Sequence, residues 1–358
     1  MSYTVTTPDI RSVEDQLVGQ WQKNLASIKS HHHRFRWYYL DNPVGRGVAF
    51  VLEYRAPDDH QPSSVVGSAG VSQRRFFLRG KPVMAALLGD LNVDLDHRTM
   101  MPAIMLQRAT RTHAEQTFAF VYGFSNRRSA PVQRRAGYRR LGDRKRYACP
   151  LRYETFVDAA IPNRVLSRAV AAALTGAARV VDLVRSAPVL ATHRLEWLAD
   201  VDQRFDRLWQ RCHHRYPIIG YRGADFLRWR FVEKPGETFE FVTLTRRASG
   251  ELEAYAVLER DPRHEMIILR DLFGEDETRI HKLLSLLIPA LRRRGHRSVS
   301  VSFLGARRLV DVLARHWFAA REDRPNPVLV GPGGQLGDDR AALMESENWY
   351  LMDVDEDE

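Results

Sequence analysis

Adjacent histidines are the most conspicuous metal-ligating side chains of this chain, at His31-His32-His33 and His213-His214. Neighbouring residues cannot all turn toward one ion, and no partner stands at zinc-site spacing, so solvated loop histidines are expected. Cys149 and Cys212 show no metal-binding spacing and no disulfide framework, which fits a reducing cytoplasm. Nucleophilic chemistry finds no frame either: there is no G-x-S-x-G elbow, and Asp59-His60 and Asp311 join no recognisable triad. Trp21, Trp37, Trp209 and Trp229 stand at matching places in two repeated segments, which argues for core packing, whereas a base-stacking platform would interleave aromatic and basic residues on strands. What remains is arginine. The net charge of +10 is concentrated in runs such as Arg127-Arg128, Arg134-Arg135, Arg139-Arg140 and Arg292-Arg293-Arg294. Such a surplus favours anionic partners, whether cofactor phosphates, nucleic acid or an acidic membrane face, although solvated helix faces in an arginine-rich proteome are the plainer account of such runs.

The elements that would position these residues occur twice. Trp37-Tyr-Tyr-Leu-Asp-Asn-Pro43 leads into the alternating apolar run Val48, Phe50, Leu52, and Trp229-Arg-Phe-Val-Glu-Lys-Pro235 leads into Phe239, Phe241, Thr243. Each is preceded by a helix-like stretch with a Trp-Gln pair, at Trp21 and Trp209. Each is followed by Asp-Leu (Asp90-Leu91, Asp271-Leu272) and an arginine at one offset, Arg98 and Arg279. The stretch from Thr117 to Tyr138 then matches Arg297 to Phe318 without a gap. A period this long means tandem domains, since solenoid repeats recur every few tens of residues. The 358 residues suffice for two cores. The domains are expected at 1–157 and 196–345, joined by a helical connector at 158–195 and followed by a segment, 346–358, with an acidic tail from Met352 expected to be disordered.

Within the first copy the pattern predicts a helix over 12–29 with Leu17, Trp21, Leu25 and Ile28 on one face, and strands at 48–54, 65–71 and 83–93. It then predicts a helix from Pro102 carrying Ile104, Met105, Leu106 and Ala109 inward, a strand at 117–123, a helix over 129–136 and a last strand from Tyr138. This order makes a mixed α/β (α+β) unit. In the connector, Val165, Ala169, Ala173, Ala177 and Val181 can share a stripe, and Gly176 and Pro188 weaken or end the helix. A connector packed between domains is expected there; a helix lying on a membrane surface through 158–191 is the other reading. The N-terminus shows no secretory signal and no stretch is apolar enough to span a bilayer.

The first copy resembles the GNAT superfamily of acyl-CoA-dependent N-acyltransferases. Leu88-Gly-Asp-Leu-Asn-Val-Asp-Leu-Asp-His-Arg98 is similar to the family's central strand and its exit, and Arg98-Thr-Met-Met-Pro-Ala103 stands where the family has its R-x-x-G-x-G/A pyrophosphate loop. Tyr122-Gly-Phe-Ser-Asn126 and Arg134-Arg-Ala-Gly-Tyr138 are similar to the splayed strand, its loop and the closing helix. The Trp37–Pro43 segment is similar to an opening in GNAT-like proteins of polysaccharide and envelope gene sets. The resemblance implies two tandem GNAT-like domains, each a mixed, mostly antiparallel sheet flanked by helices. It further implies an acyl-CoA donor, acetyl-CoA foremost, held by Leu91, Val93, Arg98, Thr99, Met100, Met101, Ala103, Asn126 and Arg127. Asp90 and Asp94 stand where a general base would, with Asn92 a hydrogen-bonding partner; the match of Asp90 with Asp271 points instead to a shared structural role. Met101 stands at a usual glycine position, Pro102 removes an amide, and Gln133 stands where many members have an acidic tyrosine. The second copy, with Arg279-Ile-His-Lys-Leu-Leu284, is expected to hold no nucleotide. The function implied is transfer of an acyl group, acetyl foremost, to an amine of an anionic or otherwise amine-bearing acceptor, envelope- or polysaccharide-related, in the cytoplasm and without metal. A Fem-like transferase using charged tRNA and a non-catalytic GNAT-fold binding protein are the alternatives.

Overall fold

The computed structural model describes every residue except 1, 26–29, 57–62, 322–324, 335, 337, 338 and 358, so Ile28 and Asp59-His60 lie outside the described residues. The first half runs β1 (Ser2–Thr6), α1 (Glu14–Asn24), α2 (His31–Phe35), β2 (Val48–Arg55), β3 (Ser64–Leu78), β4 (Lys81–Val93), α3 (Met100–Thr117), β5 (Phe120–Phe124), α4 (Ser129–Arg135), β6 (Arg139–Asp143) and β7 (Lys145–Pro150). Two connecting helices follow, α5 (Glu154–Ala160) and α6 (Arg164–Thr192). The second half repeats the order: β8 (His193–Leu198), α7 (Gln203–Cys212), β9 (Ile218–Gly220), α8 (Ala224–Leu227), β10 (Phe239–Arg246), β11 (Leu252–Asp261), β12 (Met266–Gly274), α9 (Glu277–Arg293), β13 (Ser298–Gly305), α10 (Arg307–Arg315), β14 (Ala319–Ala320) and β15 (Pro327–Pro332). It also contains β9, α11 (Arg340–Leu343) and β16 (Trp349–Leu351), which have no counterpart among the described residues of the first half. Apolar residues alternate with partly exposed ones where β3 leaves the core, and α9 buries Leu283, Leu284, Leu287 and Leu291 at helical spacing.

In each half the leading strands are antiparallel, β1-β2-β3-β4 and β8-β10-β11-β12, and the next strand, β5 or β13, is parallel to its neighbour. This is the mixed, helix-flanked α/β sheet that the resemblance implies. The closing strands are exchanged. β15 of the second half enters the first sheet between β5 and β6, placing Val330 opposite Tyr122 on one side and Arg139 on the other. β7 enters the second sheet beside β13 and β14, placing Cys149 opposite Val299 and Ala148 opposite Ala319. Residues expected within 1–157 thus finish the second sheet, and residues expected within 196–345 finish the first.

The halves are also sewn together at the centre. β9 pairs with the far end of β3 and β16 runs parallel to β9, so one hydrogen-bonded path of strands crosses the molecule. Trp37 and Trp229 lie in equivalent five-residue π-helical turns, Arg36–Leu40 and Arg228–Val232. Their rings stack at 4.9 Å and 19°. Each indole N–H donates to the other's backbone carbonyl, at 2.7 and 2.9 Å. Trp21, Trp37, Trp209 and Trp229 are all buried in the largest apolar cluster, which draws on both halves.

Two expectations are corrected. The acidic tail is ordered: Met352, Asp353, Val354 and Asp355 are buried, because each carboxylate meets a buried arginine. Asp353 pairs with Arg144 and Arg270, Asp355 with Arg222, and Glu356 with Arg144. Arg230 donates to the Val354, Asp353 and Glu356 carbonyls. Arginines 74, 144, 222, 230 and 292 are therefore interior rather than solvated. Second, α6 passes through Gly176 and Pro188 unbroken to Thr192. The face it turns inward is Ser167, Ala171, Ala178, Asp182, Ser186 and Val189, not the expected Val165 stripe, with Asp182 drawn in by Arg292 at 2.9 Å. Cys149 and Cys212 are free, buried thiols whose pKa values burial pushes up to about 12.

Candidate active site

Ala85, Ala86 and Leu87 of β4 pair in parallel with Phe120, Val121 and Tyr122, and there the pairing stops. Beyond it the β4 register against β3 shifts between Ser68 and Gly70, and Asp90 adopts φ +53°. That left-handed backbone is uncommon for a residue with a Cβ and needs support from its surroundings. The support comes from the aromatic segment before β2. Tyr39 Oη donates to Asp90 Oδ2 at 2.6 Å, and Arg34 Nη2 donates to Oδ1 at 3.0 Å. Burial pushes the Tyr39 pKa well above the usual tyrosine value, so its hydroxyl stays a donor. Burial also works against the Arg34 charge, and Asp90 with Asp357 more than offsets it, so the guanidinium pKa is raised.

The departing strands open a cleft of about 990 Å³. Its walls are Leu88, Gly89, Asp90 and Leu91 from β4, Gln107 from α3, Phe124 to Ser129 at the exit of β5, and Gln133 from α4. Ser125 Oγ donates to Gln133 Oε1, so the position where a tyrosine was absent carries a hydroxyl–amide pair. Arg34, Trp37, Lys234, Glu237, Glu356 and Asp357 close the far side. The last four come from the second half and the tail, and the Trp37–Trp229 stack is what carries Lys234 across.

Of the residues singled out in the sequence, Asp90, Leu91, Asn126 and Arg127 meet in this cleft. Asn92 is turned into the sheet, donating to Ser68 Oγ at 2.7 Å, and Asp94 accepts from Asn24 at 2.7 Å. Val93 is buried, and its carbonyl receives the Arg98 guanidinium at 3.0 and 3.2 Å. Thr99, Met100 and Met101 lie exposed at the head of α3, and Ala103 packs on the core. Asn126 Oδ1 accepts the amides of Arg128 and Ser129, both 2.9 Å, which fixes the turn into α4. Arg34, Tyr39, Lys234 and Asp357 escaped sequence reasoning. Only the alignment of Asn42-Pro43 with Lys234-Pro235 hinted that the second loop mattered.

Lys234 is paired with Glu237 at 2.7 Å and lies 5.9 and 5.8 Å from the ring centres of Trp37 and Phe239. Burial, helped by nearby Arg230, lowers its pKa to about 8. An unfolded chain would hold that proton up to about pH 10.4, so from about 8 to 10.4 the unfolded state binds more protons and stability rises with pH. Below pH 8 the penalty is fully present. Lys234→Met is therefore expected to raise the melting temperature at pH 7 and to flatten its rise toward pH 10. Parallel melting curves for the two proteins across that range would contradict this.

The second half has the same scaffold without the opening. Asp271 receives Tyr255 Oη at 2.7 Å and Arg222 Nε at 3.2 Å, and burial raises its pKa against the pull of Arg222. β12 and β13 part after Leu269 and Val301, but β16 fills the gap, pairing Leu351 with Leu304 and Tyr350 with Gly305. The Leu272 amide faces Met352 Sδ at 3.2 Å, and its carbonyl accepts Tyr350 Oη. Gly305 has φ +153° and its Cβ position would lie 1.9 Å from the Trp349 carbonyl oxygen, so no side chain fits where the strand docks. Among the described residues no three His, Cys, Asp or Glu side chains group as metal ligands would, and no helix is long and apolar enough to cross a membrane.

No protein-family model matches the sequence, nor does any curated protein. Solved structures do share the arrangement. A probable N-acyltransferase from Enterococcus faecalis aligns with TM-score 0.63 and 11% identity over 93% of this chain and 73% of its own. A GCN5-related N-acetyltransferase from Anabaena variabilis aligns with TM-score 0.63 and 14% identity over 92% of this chain and 72% of its own. A tandem GNAT protein from the clavulanic acid biosynthesis pathway aligns with TM-score 0.51 and 14% identity over 92% of this chain and 98% of its own. Identities this low speak for the fold alone. Two sheets whose parallel strands part beside an aspartate, in a chain that superposes on GNAT structures over nine-tenths of its length, give this protein a tandem GNAT-like fold.

Proposed function

We propose that the chain is an acyl-CoA-dependent N-acyltransferase of the GNAT type whose donor site lies in the first half alone. The observation that carries this reading is the contrast between the two splays: one opens on a 990 Å³ cleft, and the other is filled by β16. A pantetheine arm is a string of amides, and it can pair with a strand whose neighbour has departed as a further strand would. Leu91, at the bulge, would receive it. The diphosphate would meet the head of α3, where Thr99 makes no side-chain cap and the amides of Thr99, Met100, Met101 and Ala103 offer partial positive charge. Met100 and Met101 are exposed and do not line the cleft. Arg98 would steady Val93 at the strand exit, and Asn126 and Arg127 would form the opposite wall.

In the reaction an acceptor amine adds its lone pair to the thioester carbon, the C–S bond breaks, and the thiolate leaves with the proton shed by the amine. The Gln133 side-chain amide, whose oxygen accepts the Ser125 hydroxyl, would donate its N–H to the leaving group. Asp90 would serve chiefly by holding the bulge, with Asn92 and Asp94 anchoring β4 on either side. Arg127 and Lys234 suit an acceptor that bears an anionic group as well as its amine. Acetyl-CoA is expected to bind at micromolar to millimolar concentration by calorimetry, and free thiol should be released when amines from cell extract are supplied. Absence of any association with acetyl- or longer-chain acyl-CoA at millimolar concentration would overturn the reading. Binding of tRNA that falls steeply with salt would redirect it to an aminoacyl donor.

A further inference from the structure

The long helix α6 is built inside out. Toward α9 it presents serines, alanines and an aspartate, and toward solvent it presents its large apolar residues. Val165, Ala169, Ala172, Gly176, Val180, Leu183, Ala187 and Leu190 recur every three or four positions, so they form one stripe along the helix. All eight are exposed; Val165 is 80% accessible, Leu183 68% and Val180 61%. Leu166 and Val184 widen the stripe on one side. At 29 residues and about 1.5 Å per residue the helix is roughly 43 Å long. An uninterrupted apolar strip of that length is beyond what a soluble surface carries without a partner.

Charge says which partner. Arg164, Arg168, Arg179 and Arg185 are the cations of this helix, and Arg168 and Arg179 lie along the edge of the stripe opposite Leu166 and Val184. Its single carboxylate, Asp182, is withdrawn into the protein by Arg292. The outer surface of the helix therefore combines apolar side chains and arginines with no acid to repel an anion. Phe156 of α5, the helix that precedes α6, is exposed, with the Arg321 guanidinium 5.9 Å from its ring centre. Aromatic rings with a polar or cationic neighbour suit the boundary between water and lipid.

We propose that the outer face of α6 is a docking surface for an anionic lipid bilayer, on which the helix lies parallel to the membrane plane. The short side chains along much of the stripe make the insertion shallow, so the arginines must contribute through lipid phosphates, and binding should be reversible and salt-sensitive. The apolar residues rather than the charges alone distinguish this from general attraction of a basic protein to an acidic surface.

The test is co-sedimentation of the full chain with vesicles of phosphatidylcholine alone and of phosphatidylcholine with about a third phosphatidylglycerol. The expected result is at least roughly tenfold more binding to the anionic vesicles, reduced several-fold between 0.05 and 0.5 M salt. The double variant Val180→Glu, Leu183→Glu should lose most of that binding while melting at the temperature of the parent, since neither side chain is packed. Failure of the parent to sediment with either vesicle overturns the proposal. So does undiminished binding by the variant, which would assign the effect to charge elsewhere. Sedimentation equilibrium showing a dimer that the variant converts to a monomer would also overturn it, by giving the face to a second copy of the chain.

Discussion

Deleting residues 349–358 is expected to abolish cooperative folding. The segment ends the chain and is rich in acid, yet Trp349, Tyr350, Leu351, Met352 and Val354 are all essentially inaccessible to solvent. Burial of one large apolar side chain contributes about 1.5–3 kcal/mol, so five contribute on the order of 10 kcal/mol, comparable with the whole stability of an ordinary domain. The loss is compounded electrostatically. Arg144, Arg222 and Arg270 would each lose a carboxylate, and Arg230, whose pKa burial among other arginines already lowers to about 10, would lose its three carbonyl acceptors. Stranding a buried charge is among the most expensive single changes a protein can suffer. Circular dichroism should show no cooperative melt for the truncated chain. A melting temperature within a few degrees of the full chain would mean that the tail packs on a fold that does not need it.

Asp90→Ala is expected to cost about 3–5 kcal/mol, because it leaves Arg34 without its closest anion in a site where the two side chains are only 14% and 5% exposed. It also frees the Tyr39 hydroxyl and removes what holds β4 in the left-handed bulge. Asp90→Asn keeps an acceptor for Tyr39 and should fall between the parent and the alanine variant. Arg34→Ala should reproduce the loss. If the bulge presents the donor-binding edge, acetyl-CoA affinity should decline in the same order as stability across these variants, measured by urea unfolding and calorimetry. An Asp90→Asn protein of parental stability and affinity that transfers no acyl group would make Asp90 a general base and sink the anchoring role.

Much of the scaffold was legible because it rests on local periodicity. The strands around 48–54 and 83–93, the helix entering at Pro102 and the helix over 129–136 all appear with small shifts in their ends. β1 was not, since Ser2–Thr6 is short and its apolar partner lies some fifty residues away. The strand exchange left no trace in sequence: the two copies align without regard to which sheet receives the strand, so β7 and β15 read alike wherever they pair. The tail misled for a related reason. Acidic composition signals disorder only when nothing compensates it, and here the compensating arginines are spread from position 144 to 270. At the site, Asp90, Leu91, Asn126 and Arg127 could be found because two short local motifs, the central strand exit at 88–98 and the strand and loop at 122–128, carry them. Lys234, Glu356 and Asp357 reach the cleft through the central tryptophan stack and the tail, which are facts of tertiary structure.

The exchanged closing strands also bear on how the molecule is made. The first sheet is complete only when residues 327–332 lie between β5 and β6. During synthesis, the half that emerges first must therefore wait, with an unpaired edge at β5, until residues 327–332 have left the ribosome. The second half, by contrast, finds β7 already made. The closing order is thereby set by residues 319–351: the second sheet closes when β14 joins β7, the first when β15 follows a few residues later, and β16 fills the second splay after both.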